Sequence, residues 1–95
     1  MSLEKLTSKY ISMAEKVFSE LQKNPLPISL TEEMVSSVLS YATDYLEDAK
    51  YYRAAGNLET SLTSVAYCEG LLDALRLLGA VNFEWPTNQE NKKLS

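Results

Sequence analysis

Histidine is absent from this 95-residue sequence, and its absence excludes several kinds of chemistry at once. Neither a Ser-His-Asp triad nor a papain-like Cys-His pair can form. Zinc and other transition metals in proteins rely on histidine and cysteine, and Cys68 is the only cysteine. The three glycines are too scattered for a phosphate-binding loop. The sequence therefore predicts no catalytic residues, no metal ligands and no cofactor, and it favours a non-enzymatic protein.

Clustered positive charge and long apolar runs are also lacking. Nine Lys and Arg residues stand against 13 Asp and Glu, which gives a net charge of −4. Nucleic-acid binding needs a concentrated positive field, so we do not expect it. No apolar run approaches the roughly 18 residues of a membrane span, and Glu4, Lys5 and Lys9 interrupt the N-terminal region. Together with the lone cysteine, these features predict a cytoplasmic protein with no membrane association.

The low glycine and proline content favours a few long helices over many short strands. Apolar residues recur at steps of three and four from residue 3 to about residue 23, which predicts a first helix. The sequence 24–27, Asn-Pro-Leu-Pro, should end it. The apolar residues of this helix are Leu3, Leu6, Tyr10, Met13, Val17 and Leu21, joined by Ala14 and Phe18.

A second helix should begin at Ser29 or at Thr31, because both residues have capping spacing. Gly56 then fits a C-terminal cap, and Asn57 fits the N-cap of a third helix. The second helix keeps heptad spacing through Val35, Val38, Ala42, Tyr45, Ala49 and Tyr52, joined by Leu39 and Leu46.

The third helix should run to Gly79, with an apolar face that changes direction along its length. The predicted first-half face comprises Leu58, Leu62, Val65 and Ala66, and the second-half face comprises Cys68, Leu71, Leu72, Leu75 and Leu78. Gly70 is predicted to mark a close helix crossing, because a glycine inside a helix costs about 1 kcal/mol relative to alanine. Residues 80–86 are apolar and should dock on the helices.

These elements predict an all-α fold, an up-and-down three-helix bundle with a short docked C-terminal segment. Residues 1–86 should form the single domain. Residues 87–95 are polar and are predicted to be a flexible C-terminal tail.

Tyrosines and acidic residues concentrate on both sides of the predicted turn. The candidate binding residues are Asp48, Tyr52, Tyr67, Glu69, Asp73 and Arg76. They could line a cleft between helices 2 and 3, or they could form a polar seam and a solvated acidic face. Asp48 and Tyr67 lie at similar distances from Gly56, so a hydrogen bond between them is the contact that we expect most.

The segment from Tyr45 to Gly79 resembles the family of short archaeal proteins grouped as domain of unknown function 357. The resemblance rests on the runs Tyr45-Leu46-Glu47-Asp48-Ala49-Lys50-Tyr51-Tyr52, Gly56-Asn57, Ala66-Tyr67-Cys68-Glu69-Gly70-Leu71-Leu72-Asp73-Ala74 and Leu78-Gly79. Glu69 stands where the family usually has histidine, and Leu71 where it has tryptophan. The resemblance implies a small three-helix bundle in an archaeal cytoplasm, and it implies no activity.

Two functions remain open on the sequence. The favoured one is a non-enzymatic interaction module that binds a protein partner or forms a homodimer through a helical face. The alternative is a ligand- or metal-binding protein, or a weak enzyme, that uses the acidic and tyrosine residues between helices 2 and 3. A concave pocket converging on those residues would favour the alternative, and an exposed apolar helix face would favour the interaction module.

Overall fold

The computed structural model describes residues 2–86, which form three α-helices and no strand. In chain order they are α1, Leu3–Glu20, α2, Glu32–Ala54, and α3, Leu58–Leu77. The predicted all-α, three-helix architecture is confirmed. The predicted tail at 87–95 lies outside the described residues.

Each helix begins at a side chain that accepts a hydrogen bond from the first turn. Thr31 Oγ1 accepts from the Met34 amide at 3.1 Å, so α2 is capped by Thr31 and not by Ser29. Asn57 Oδ1 accepts from the Thr60 amide at 3.3 Å, as predicted. The first helix ends at Glu20, earlier than the predicted residue 23, because nothing packs on the exposed residues 21–23 to hold a further turn.

The turn between α2 and α3 is a glycine-capped helix end. Gly56 has φ +82°, the Gly56 amide donates to the Arg53 carbonyl, and the Asn57 amide donates to the Tyr52 carbonyl at 2.9 Å. These two bonds satisfy carbonyls that the end of α2 would otherwise leave free. The chain therefore reverses within the three residues 55–57, and α3 returns antiparallel against α2.

The α2–α3 hairpin contains the buried core of the described chain. Its fully buried side chains are small or medium in size: Ala42, Ala49, Cys68 and Leu75. Around them, every member of the predicted heptad of α2 is buried or half-buried. The Ser61 hydroxyl donates to the Ala49 carbonyl at 2.6 Å, which places α3 directly against the backbone of α2.

The predicted first-half face of α3 is wrong, whereas most of the predicted second-half face is buried or half-buried. Leu58 and Leu62 are 65% and 69% exposed, and Ala66 and Leu78 are also exposed. Ser61 and Ser64 lie in the interface with α2 instead, in one line with Cys68 and Leu75. A serine can take such a place because its hydroxyl can bond a nearby backbone carbonyl, as Ser61 does.

The predicted helix crossing at Gly70 is also wrong. Gly70 is exposed, and a Cβ atom built on it would meet no atom within 4 Å. The close approach lies at Ala49 and Ser61 instead, where small side chains let the two helices meet.

The first helix stands apart from the hairpin. No Cα atom of α1 lies within 8 Å of a Cα atom in α2 or α3. None of its side chains is buried, Leu6 alone is half-buried, and Phe18 is 78% exposed. The radius of gyration is 16.4 Å, whereas a compact chain of this length has about 12 Å. The three helices are present, and α1 shares no buried core with α2 and α3.

Gly70→Ala should stabilise the protein by about 1 kcal/mol, because alanine has the better helix propensity and the new methyl group meets no atom. Gly56→Ala is the matched control, and it should destabilise the protein by about 1 kcal/mol because φ at that position is +82°. Urea unfolding followed by far-ultraviolet circular dichroism measures both. A Gly70→Ala variant that loses stability would show that the glycine is needed for packing.

Candidate functional site

The predicted site residues lie on two different sides of α3. Tyr67 faces the side on which α1 stands, where it lines a groove with Leu6 and Tyr10. Measured from Tyr67 at about 100° per residue, Asp73 lies about 120° around the helix axis and Glu69 about 160°. The six residues therefore do not converge on one cleft between α2 and α3.

The Tyr67 ring stacks on Tyr45 of α2, with centroids 4.5 Å apart and an angle of 23° between the planes. Among residues 2–86, no hydrogen bond joins Asp48 to Tyr67, and Asp48 is exposed. The predicted contact is therefore replaced by an aromatic one. Heptad spacing places Tyr45 towards α3 and leaves Asp48 at the edge, where water solvates its carboxylate.

Tyr52 contacts its sequence neighbour rather than α3. Its half-buried ring meets the Tyr51 ring edge-on, with centroids 5.2 Å apart. Both tyrosines lie near the end of α2, and among the described residues no acidic side chain bonds the Tyr52 hydroxyl.

Asp73 and Arg76 hold the C-terminal segment against α3. Asp73 Oδ1 accepts a hydrogen bond from Trp85 Nε1 at 2.8 Å and another from Arg76 at 3.0 Å. The Arg76 guanidinium lies 5.3 Å from the centroid of the Phe83 ring, which meets the Trp85 ring edge-on. The predicted docking of residues 80–86 is confirmed, and its partners are two of the predicted site residues.

The two titratable groups with shifted pKa values have structural explanations. The hydrogen bond from Trp85, followed by the one from Arg76, lowers the pKa of Asp73 below its usual value. Burial, with a smaller contribution from Glu69, raises the pKa of the Cys68 thiol. A buried thiol with a raised pKa is a poor nucleophile, so Cys68 acts as a small core residue.

No group of three His, Cys, Asp or Glu residues within 2–86 is placed to hold a metal ion. Asp73 is already occupied by a salt bridge and an indole hydrogen bond. Asp73 and Arg76 therefore hold residues 80–86 against α3.

Two apolar surfaces of the described chain are exposed, and they are more unusual than the polar contacts above. The first, the α1 stripe, consists of Tyr10, Met13, Ala14, Val17, Phe18 and Leu21, all exposed. The second, the hairpin groove, is a depression of about 480 Å³ whose apolar lining comes from Leu46, Ala49, Leu58, Leu62 and Val65. Sequence reasoning identified the residues of the stripe but assigned them to a core. The signal for the groove was the pair Ser61 and Ser64, which occupy the interface and turn Leu58 and Leu62 outwards.

The fold and these surfaces define an all-α protein, a close helical hairpin accompanied by a loosely held amphipathic helix. The chain belongs to the family described as "Protein of unknown function (DUF357)", whose profile matches residues 9–81. The matched region extends beyond the segment Tyr45–Gly79 that carried the resemblance, and it includes most of α1. No curated protein and no solved structure matches the chain.

Acidification should release the C-terminal segment from α3. The pKa of Asp73 is lowered in the folded protein, so docking favours the ionised carboxylate. This contribution is present above the ordinary aspartate pKa of about 3.9, and it is lost as the pH falls through the lowered value. Trp85 is the only tryptophan, so a red shift of its emission reports the release.

The controls separate this release from unfolding. Asp73→Ala should shift the Trp85 emission to the red already at pH 7, while Glu69→Ala, one turn earlier on α3, should leave it unchanged. Helical circular dichroism recorded alongside shows whether α2 and α3 persist. Identical emission from Asp73→Ala and the wild type at pH 7 would contradict the proposed fastening.

Tyr67→Phe should change the free energy of unfolding by less than about 0.5 kcal/mol, because the ring stack survives and the lost hydroxyl has no partner on Asp48. A double-mutant cycle with alanine at positions 45 and 67 should give a coupling of about 0.5–1.5 kcal/mol. The same cycle on Asp48 and Tyr67 serves as the comparison, with an expected coupling near zero. A large coupling there would restore the predicted polar contact.

Proposed function

We propose that this protein is a non-enzymatic interaction module whose contact surface is the α1 stripe. The observation that carries the proposal is the exposure of this stripe: Met13, Val17 and Phe18 are all more than half exposed on one face of one helix. The helix is strongly amphipathic in sequence, yet its apolar side contacts no core of its own chain. Large exposed apolar patches on soluble proteins mark sites of interaction.

The energy available at this surface is substantial. Burying one large apolar side chain contributes about 1.5–3 kcal/mol. The stripe holds five such side chains, so a partner that covers most of it gains enough to offset the loss of freedom on association. The hairpin cannot use this energy while α1 stands away from it.

A protein fits the stripe better than a lipid surface does. Helices that lie on membranes carry mainly Lys and Arg on their polar face. The polar face of α1 is balanced, with three acidic and three basic residues: Glu4, Glu15, Glu20, Lys5, Lys9 and Lys16. Within the described part of the chain, no helix is both long enough and apolar enough to cross a membrane.

We also propose that the protein is cytoplasmic and archaeal, as predicted from the sequence. The lone thiol of Cys68 is buried and unpaired, which suits a reducing archaeal cytoplasm.

Site-specific photo-crosslinking tests the proposed surface. Benzoylphenylalanine is placed at Val17, on the stripe, or at Ser19, about 160° away on the polar face, in the full chain expressed in its native host. We expect protein adducts from position 17, including adducts to other copies of this chain, and few from position 19. Equal labelling from both positions, or no adduct from position 17, would refute the proposed surface.

A further inference from the structure

We propose that the partner of the α1 stripe is a second copy of this chain, and that each copy inserts its α1 stripe into the hairpin groove of the other. This inference rests on the interaction function proposed above. It identifies the partner and adds a second surface, the hairpin groove of Leu46, Ala49, Leu58, Leu62 and Val65, which the interaction proposal did not use.

The two surfaces have the same chemistry and opposite shapes. The stripe is the convex face of a single helix, and the groove is the concave surface between two helices. Leu58 and Leu62 project from its α3 wall, and Leu46 lies on its α2 wall. An amphipathic helix laid into an apolar groove is a common mode of protein recognition.

A helix from the same chain does not occupy the groove. The α1 helix lies beside the opposite flank of α3, where Leu6 and Tyr10 share a different groove with Thr60, Thr63 and Tyr67. At that flank α3 presents Glu59, Thr60, Thr63 and Tyr67, and Tyr10 is the one residue of the α1 stripe that lines this groove with them. One chain therefore presents both the stripe and the hairpin groove at the same time.

Charged residues flank both surfaces. Glu4 and Glu15 flank one side of the stripe, and Lys9, Lys16 and Glu20 flank the other, by their angular positions on the helix. The hairpin groove has Lys50 and Arg53 on its α2 side.

Reversing a helix in a groove exchanges its flanks. One of the two directions therefore places Glu4 and Glu15 beside Lys50 and Arg53, which orients the inserted helix.

The area left exposed is what a dimer of this kind needs. The accessible surface of the chain is 8496 Å², whereas a compact monomer of this mass exposes roughly 5,500 Å². A standard interface buries only about 800 Å² on each partner. Reciprocal insertion buries two copies of the same contact, and it closes under two-fold symmetry because each chain supplies one stripe and one groove.

Sedimentation velocity of the full chain at up to about 100 μM, a concentration that populates a micromolar dimer, tests the assembly. We expect a species of twice the 10.7-kDa mass. Val17→Asp and Leu62→Asp should each weaken dimerisation at least about tenfold, since each places a charge in the buried contact. Ser19→Asp, on the polar face of α1, is the matched control and should leave it unchanged.

All three substituted residues are exposed, so circular dichroism should show the helices of each variant intact. A monomeric wild-type chain, or a dimer indifferent to both stripe and groove substitutions, would overturn the inference.

Cysteine pairing tests the insertion itself. Chains carrying only Val17→Cys are mixed with chains carrying only Leu62→Cys, and a short bis-maleimide is added. A mixed dimer is expected, with none from the wild type, whose Cys68 is buried, and none when Ser19→Cys replaces Val17→Cys. Rapid pairing of Val17→Cys chains with each other, without the mixed product, would show that α1 packs on α1 and would reject the exchange.

The outcomes separate this inference from the proposed function. A monomer whose position 17 still crosslinks to a different protein rejects the homodimer and keeps the interaction module. A monomer with no adducts at position 17 rejects both. A vesicle of mixed anionic and neutral lipids that sediments with the wild-type chain, and not with Val17→Asp, would assign the stripe to a membrane surface and overturn the inference.

Discussion

The short distance between α2 and α3 at Ala49 and Ser61 is the constraint on which the rest of the structure depends. A methyl group faces a hydroxymethyl group there, and the hydroxyl donates to the Ala49 carbonyl at 2.6 Å. Ala42 and Cys68 extend the same close seam along the helices. Because the side chains at Ala49 and Ser61 are small, the backbones approach there, and little room is left for a leucine side chain at that point.

The exposure of apolar residues on α3 follows from that close approach. Where serine takes the interface positions, the leucines at 58 and 62 must point elsewhere, and they line the hairpin groove. The same geometry places Tyr45 against Tyr67 and leaves Asp48 at the edge in water. Further along α3, Asp73 and Arg76 are free to hold Trp85 and Phe83. The small residues between α2 and α3 thus place Tyr67 in an aromatic contact on one side of α3. On another side, Asp73 and Arg76 hold the C-terminal segment.

The sequence pattern predicted the elements well because caps and heptads are local signals. Thr31, Asn57 and Gly56 act through bonds to neighbours within five residues, and the α2 heptad needs only a partner on one side. The candidate site could not be predicted in the same way. Its arrangement depends on the rotation of α3 about its axis. Ser61 and Ser64 lie in the interface with α2, whereas a reading based on hydrophobicity assigns serine to solvent.

The predicted helix crossing at Gly70 is wrong for a related reason. A glycine inside a helix indicates either a close neighbour or an unremarkable exposed position, and the local sequence does not distinguish the two. The first helix shows another limit of sequence patterns. The periodicity correctly identifies its apolar face, but it does not indicate whether that face is buried by the same chain or by another one.

The first helix also connects folding to association. An isolated helix of 18 residues is marginal in water, and most helices in proteins are held by packing of their apolar face. In a single chain α1 has no buried side chain, and its capping bond from the Lys5 amide to Ser2 contributes only about 1 kcal/mol. A partner that covers Met13, Val17 and Phe18 therefore supplies the packing that the hairpin does not. In the proposed dimer, occupation of the stripe would therefore stabilise α1, and the closely packed hairpin would offer a preformed groove to it.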